Sequence, residues 1–111
     1  MNPRTLRGIQ DENALEAVLG ADLAVIYKHS PLCGLSASAA REVRRFMGDH
    51  PRTPVYMLDV IRDRALCRTV EERLDVRHES PQVIVIRDGS VAWEASHRSV
   101  RAEALAQRAG A

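Results

Sequence analysis

The run LAVIY at residues 23–27, broken at Ser30-Pro31 and followed at once by a helix-spaced stripe, constrains this chain more than any other feature. An apolar run rich in strand formers, with no polar alternation, suits a strand buried on both faces. From Cys33 the spacing becomes helical: Leu35, Ala39, Val43, Phe46 and Met47 form one stripe, and Arg41, Glu42, Arg44 and Arg45 turn mainly to water. Gly48 and Pro51 stop that helix, and PVYMLDV (54–60) supplies a second strand. A helical crossover between two strands makes them parallel and the connection right-handed. Parallel strands need helices over both faces of their sheet, and the remaining segments provide them.

Asp11 can cap a short helix in which Leu15, Val18 and Leu19 share a face, with Gly20 at its end. RDRALCRTVEERLD (62–75) sets Leu66, Val70 and Leu74 at i, i+4 and i+8, a second long helix. SPQVIVIRDGSVAWEAS (80–96) reads as a hairpin around Asp88-Gly89, a pair suited to the positive φ of a primed turn. SVRAEALAQRAG (99–110) closes the chain as an amphipathic helix with Ser99 as its expected N-cap. Leaving the terminal helices aside, the order is β-α-β-α-β-β. The expectation is a single thioredoxin-like α/β domain over residues 1–111. Its sheet is expected to have four strands, two parallel plus an antiparallel hairpin, with helices on both faces.

At 111 residues the chain can bury one core without metals or disulfide staples. Its 16 basic and 15 acidic residues leave a net charge of +1, too little excess to imply nucleic acid or a membrane surface as partner. The first twenty residues lack the apolar core of a signal peptide, and no apolar run is long enough to span a bilayer. The expected location is the cytoplasm, and the expected state a monomer. In that compartment two cysteines are free, catalytic or metal-bound more often than joined in a structural disulfide.

Cys33 follows the first core strand and opens the first long helix. Free backbone N–H groups and the helix dipole favour an anion there, and the thiolate is the nucleophilic form of cysteine. Lys28 and His29 can add positive charge, and the small residues Gly34, Ser36, Ala37 and Ser38 leave room for a bulky substrate. A dithiol redox site would carry a second cysteine at 36. Here it is Ser36, so a mixed disulfide on Cys33 must be resolved by another thiol. Packing filler is the competing reading for Cys33, and the flanking Pro31, Gly34 and Ser36 argue for a turn and cap instead.

Given this topology, His29, His78 and His97 should gather at the sheet edge that carries Cys33, with His50 elsewhere. Any one of them could be a solvated loop residue; three together suggest a polar, titratable pocket. No pair has the spacing of a preformed metal site, so no metal is expected. Ser80-Pro81 stands directly before a strand. If that bond is cis, the Ser80 backbone turns toward the cysteine and can pair with an extended thiol substrate; a trans proline opening an edge strand is the plainer alternative. Cys67, with Val70 and Leu74 at i+3 and i+7, has core-facing spacing and reads as a buried, inert thiol, against the sharper reading of a remote resolving thiol.

VIYKHSPLCGLS followed by SPQVIVI resembles the glutaredoxin arrangement of strand, cysteine turn and proline-led strand. The ordered set KHS-x-x-C-x-x-S (Lys28 to Ser36), HESPQ (His78 to Gln82), Asp88-Gly89, Trp93 and ASH (Ala95 to His97) is similar to the monothiol bacilliredoxins, the YtxJ-like proteins of bacillithiol-using bacteria. The resemblance implies thiol–disulfide exchange through Cys33 that removes bacillithiol from protein mixed disulfides. Bacillithiol would be the thiol co-substrate, bacillithiolated client proteins the partners, and no tightly bound cofactor is needed. Lys28, His29, His78, His97 and Arg98 would receive the anionic malate end, and the Ser80 backbone the extended part. Leu32, Ser36 and Pro81 would complete the substrate contacts. Leu32 and Gly34 flank the cysteine where that family more usually has Thr and Pro, which removes a hydroxyl from beside the sulfur. CGLS is also close to the CGFS of monothiol glutaredoxins, which carry an iron–sulfur cluster between two subunits. A cluster carrier and a non-enzymatic thioredoxin-fold adaptor are therefore the alternatives.

Overall fold

A computed structural model describes residues 6–32 and 34–110. The LAVIY run grows into β2, Leu23–His29, which lies in the middle of the sheet. It pairs in parallel with β3, Val55–Asp59, and antiparallel with β4, Gln82–Arg87. Between β2 and β3 runs α2, Gly34–Asp49, and between β3 and β4 runs α3, Arg64–Leu74. Asp88 (φ 51°) and Gly89 (φ 75°) reverse the chain into β5, Ser90–Ser96, with the two positive φ values of a primed hairpin turn. Asp11 caps α1, Glu12–Leu19, its side chain accepting the Ala14 N–H at 2.8 Å.

The expected sheet of four strands is corrected to five, in the order β1-β3-β2-β4-β5. The added strand, β1, is only Arg7–Gly8, parallel to Tyr56 and Met57 of β3. Two exposed residues carry no alternation for a sequence pattern to reveal; β3's free edge recruits them through backbone hydrogen bonds alone. A second correction concerns the last helix. Ser99 lies in a 3₁₀ turn, His97–Ser99, and α4 is Ala102–Ala109. Its first amide, Ala102 N–H, donates to the Glu42 carboxylate of α2 at 3.0 Å, so a neighbouring helix does the work a cap residue would have done.

Alternate residues of β2 feed two cores. Val25 and Tyr27 pack with Val43, Phe46 and Leu105 under α2 and α4, while Ala24 and Ile26 pack with Leu15, Leu66 and Val70 under α1 and α3. The buried stripe of α2 is Ser36, Ala39, Ala40, Val43, Phe46 and Met47, so Leu35, expected inside, is 37% exposed and Ser36 takes the interior position. No helix among the described residues is long and apolar enough to cross a membrane.

The register Lys28↔Gln82 and Gln82↔Ser96, with His29↔Asp59 beyond it, brings four strand ends to one sheet edge. These are the carboxyl ends of β2, β3 and β5 and the amino end of β4. α2 starts at that edge. Asp11→Ala should lower the free energy of unfolding by ~1 kcal/mol, the usual value of an N-cap, read from chemical denaturation without change in the slope.

Candidate functional site

The site is built on the last three residues of β2, whose side chains alternate. Tyr27 is fully buried on the α2 side, and its hydroxyl donates to the Ser36 carbonyl at 3.2 Å and lies 2.7 Å from His29 Nδ1. Ser30 N–H donates to Ser36 Oγ at 3.1 Å, closing the turn between strand and helix. Cys33, the expected nucleophile, falls inside that turn in sequence and lies outside the described residues. Leu32, immediately before it, is 86% exposed.

Ser36 was expected among the substrate contacts. It is buried, and its hydroxyl is committed to the Ser30 amide, so its role is to hold the turn. The cysteine's partner position in a dithiol site has become a backbone clasp.

The second wall of the edge is the segment ahead of β4. The Ser80-Pro81 peptide is cis; Ser80 is half-buried and Pro81 buried. The Pro81 carbonyl accepts His97 N–H at 2.8 Å, which ties this loop to the end of β5. Glu79 bridges Arg77 (3.5 Å) and His97 Nε2 (3.4 Å).

Lys28 departs most from expectation. It is the chain's only lysine, it is fully buried, and by strand alternation it faces α3. It therefore does not offer its ammonium to a substrate at the surface. Nζ donates to Gln82 Oε1 at 2.8 Å, and Gln82 Nε2 donates to the Arg77 carbonyl (3.1 Å) and Glu94 Oε2 (3.2 Å). Burial pulls the Lys28 pKa down, opposed by the charges of Cys67, Glu71, Glu79 and Glu94. Burial pushes the Cys67 thiol up, opposed by Lys28. Cys67 is 3% exposed on the α3 face, where the spacing put it, beside a cavity of about 280 Å³ that Arg64, Arg68, Glu71 and His78 also line.

The expected three-histidine pocket is thus divided. His29 is bonded to Tyr27 on the α2 side, and His97 borders a groove with Leu35, Ser38, Arg98 and Arg101. His78 sits with Cys67 on the α3 side, its backbone N–H on Glu71 Oε2 at 2.7 Å; burial lowers its pKa and Lys28 lowers it further. His50 is away from the edge, stacked on Phe46 at 4.9 Å between ring centroids. Among the described residues no group of three or more His, Cys, Asp or Glu could hold a metal ion.

Sequence reasoning missed Tyr27, Asp59, Glu79 and Gln82. Gln82 was recoverable, since it opens the strand that pairs with Lys28 and strand parity sends both side chains to one face. Asp59, opposite His29, accepts the N–H groups of Ile61 and Arg62, and the Arg62 amide leads in holding its carboxyl below the usual range. That turn geometry left no pattern.

Residues 5–105 match the family of monothiol bacilliredoxins, BrxC. The chain belongs to that family. Among solved structures it is similar to a candidate oxidoreductase with a thioredoxin fold, at 26% identity and a TM-score of 0.85, covering 93% of this chain and 92% of that one. It also resembles a thioredoxin from Trypanosoma brucei brucei (14% identity, TM-score 0.76, 96% and 89% covered). A mutant thioredoxin from Halobacterium salinarum matches at 16% identity and a TM-score of 0.72, with 100% and 96% covered. The thioredoxin-like fold and a thiol redox role follow, and the bacilliredoxin family supplies the monothiol character that Ser36 already expressed.

Two outcomes test the Lys28 network. In protein labelled at lysine Cε, the single resonance should titrate below the ordinary ~10.4. The folded state then sheds that proton before the unfolded state does, so stability gains from this site as pH rises between the two values. Gln82→Leu should cost ~3 kcal/mol by stranding a buried ammonium, and much of that loss should return in the Lys28→Met, Gln82→Leu double variant.

Proposed function

We propose that the protein removes bacillithiol from client proteins by monothiol exchange at Cys33. The observation that carries this is the clasp around the cysteine. The residue three positions on is a serine whose hydroxyl is held by the Ser30 amide, so that position offers no neighbouring thiol to close a ring. The other thiol, Cys67, is buried on the α3 side of the sheet with its pKa pushed up, a poor resolving nucleophile.

In the first step the Cys33 thiolate attacks the bacillithiol sulfur of the mixed disulfide. A Cys33–bacillithiol disulfide forms, the client S–S bond breaks, and the client leaves as a thiolate that takes a proton from solvent. In the second step another low-molecular-weight thiolate attacks the bacillithiol sulfur, restoring the Cys33 thiolate and releasing a small disulfide. Each step breaks one disulfide and forms another, and the electrons that reduce the client come from the low-molecular-weight thiol, which leaves oxidised in the released disulfide. The start of α2, immediately after Cys33, supports a thiolate through its free amides and dipole. Of the expected ligand contacts, His97 and Arg98 line a groove open to an anionic group, Arg101 lines it with them, and the Ser80-Pro81 segment supplies backbone for the extended part.

Cys33→Ser should lower the rate of bacillithiol removal from a modified client at least ~1,000-fold, the scale of losing a covalent nucleophile. Cys67→Ala should leave the rate essentially unchanged and yield the same Cys33 adduct by mass spectrometry. Full activity in Cys33→Ser, or an obligatory Cys33–Cys67 disulfide in the oxidised protein, would refute the mechanism.

A further inference from the structure

Three described residues other than glycine have positive φ, and two have a local reason: Asp75 ends α3 and Asp88 opens the hairpin turn. His97 is the third, at φ 54°, and it sits at the edge that holds the site. Glycine enters this left-handed region freely, whereas a residue with a Cβ is strained there. The chain keeps an imidazole where glycine would relieve the backbone.

The residue has contacts at both its backbone and its ring. His97 N–H is bonded to the Pro81 carbonyl at 2.8 Å, and Nε2 lies 3.4 Å from Glu79 Oε2. So anchored, His97 borders a groove of about 320 Å³ between the first turns of α2 and the 3₁₀ turn. Leu35 and Ser38, just after Cys33 in the chain, line one wall; Arg98 and Arg101 bring two guanidinium groups to the other. Glu42 also lines it, but its Oε1 is engaged by the Ala102 amide. The imidazole thus lines the groove beside two cations of the kind that pair with carboxylates.

We propose that His97 is a specificity-determining residue of the exchange. Its imidazole and the flanking Arg98 and Arg101 accept a small thiol whose carboxylates sit on a compact non-peptide scaffold. The backbone at 97 is already engaged, its N–H on the Pro81 carbonyl and its carbonyl accepting the Val100 N–H, so it offers a peptide thiol nothing to pair with. The inference rests on the reading of Cys33 as a bacillithiol-exchanging thiol, and it adds the residue that chooses among small thiols.

The test uses one client protein carrying either bacillithiol or glutathione on the same cysteine, with wild type, His97→Gly and His97→Ala. Wild type should prefer the bacillithiolated client. In His97→Gly that preference, as a ratio of kcat/KM values, should fall about tenfold or more, as expected when a fitted contact is removed and space opened. The change should lie mainly in KM for the bacillithiolated client. His97→Ala should shift the ratio the same way while retaining a Cβ. If one variant fails to fold, the other supplies the ratio. Equal losses on both clients would mean a merely structural residue and overturn the inference while leaving the exchange reaction standing. A wild type inactive on both clients would overturn both.

Discussion

The central strand governs everything else in this molecule. β2 is hydrogen-bonded along both sides, to β3 and β4, and runs straight into a turn closed by the Ser36 hydroxyl. A strand paired on both edges cannot shift register without turning its side chains to the wrong face. The turn that carries Cys33 therefore starts from a fixed point, and the Tyr27 hydroxyl on the Ser36 carbonyl fastens the helix to the same strand. The family's single-thiol chemistry follows from what was done at residue 36. A second thiol would have offered ring closure; a serine offers one more hydrogen bond to the frame.

Strand alternation separates two kinds of titratable chemistry. Tyr27 and His29 serve the α2 side, where the turn with exposed Leu32 leads into the helix, and Lys28 serves the α3 side, where Cys67 is buried. The proposed mechanism asks opposite electrostatic settings of the two cysteines. One precedes the free amides of a helix start, which favour the anion. The other is enclosed, and burial outweighs the nearby ammonium in setting its pKa. The Lys28–Gln82 bond also joins β2 to the strand behind cis-Pro81, so a buried charge pins the two halves of the site edge together.

Much of this is legible in the sequence. Apolar runs at β2, β3 and β4, the Asp88-Gly89 turn and the strand-to-helix placement of Cys33 all follow from periodicity and turn chemistry, because each depends on neighbours in sequence. What escaped depends on neighbours in space. β1 is two residues long and exists only because β3 has a free edge. α4 starts where Glu42 meets its first amide, not at Ser99. The family resemblance implied Lys28 and Ser36 as ligand contacts, but strand and helix parity carry both into the interior. His78 was placed on the correct edge and the wrong side of the sheet, since topology fixes where a strand ends and not which face its preceding loop takes.

The most direct test of the central claim, that this fold ionises one thiol and silences the other, is the rate of alkylation of each cysteine in the folded protein as a function of pH, resolved by peptide mass spectrometry. Cys33 should react fast, with a midpoint below the ~8.5 of a free thiol, while Cys67 stays unlabelled until the protein unfolds. Equal labelling of the two, or a Cys33 profile indistinguishable from that of a free thiol, would contradict the account.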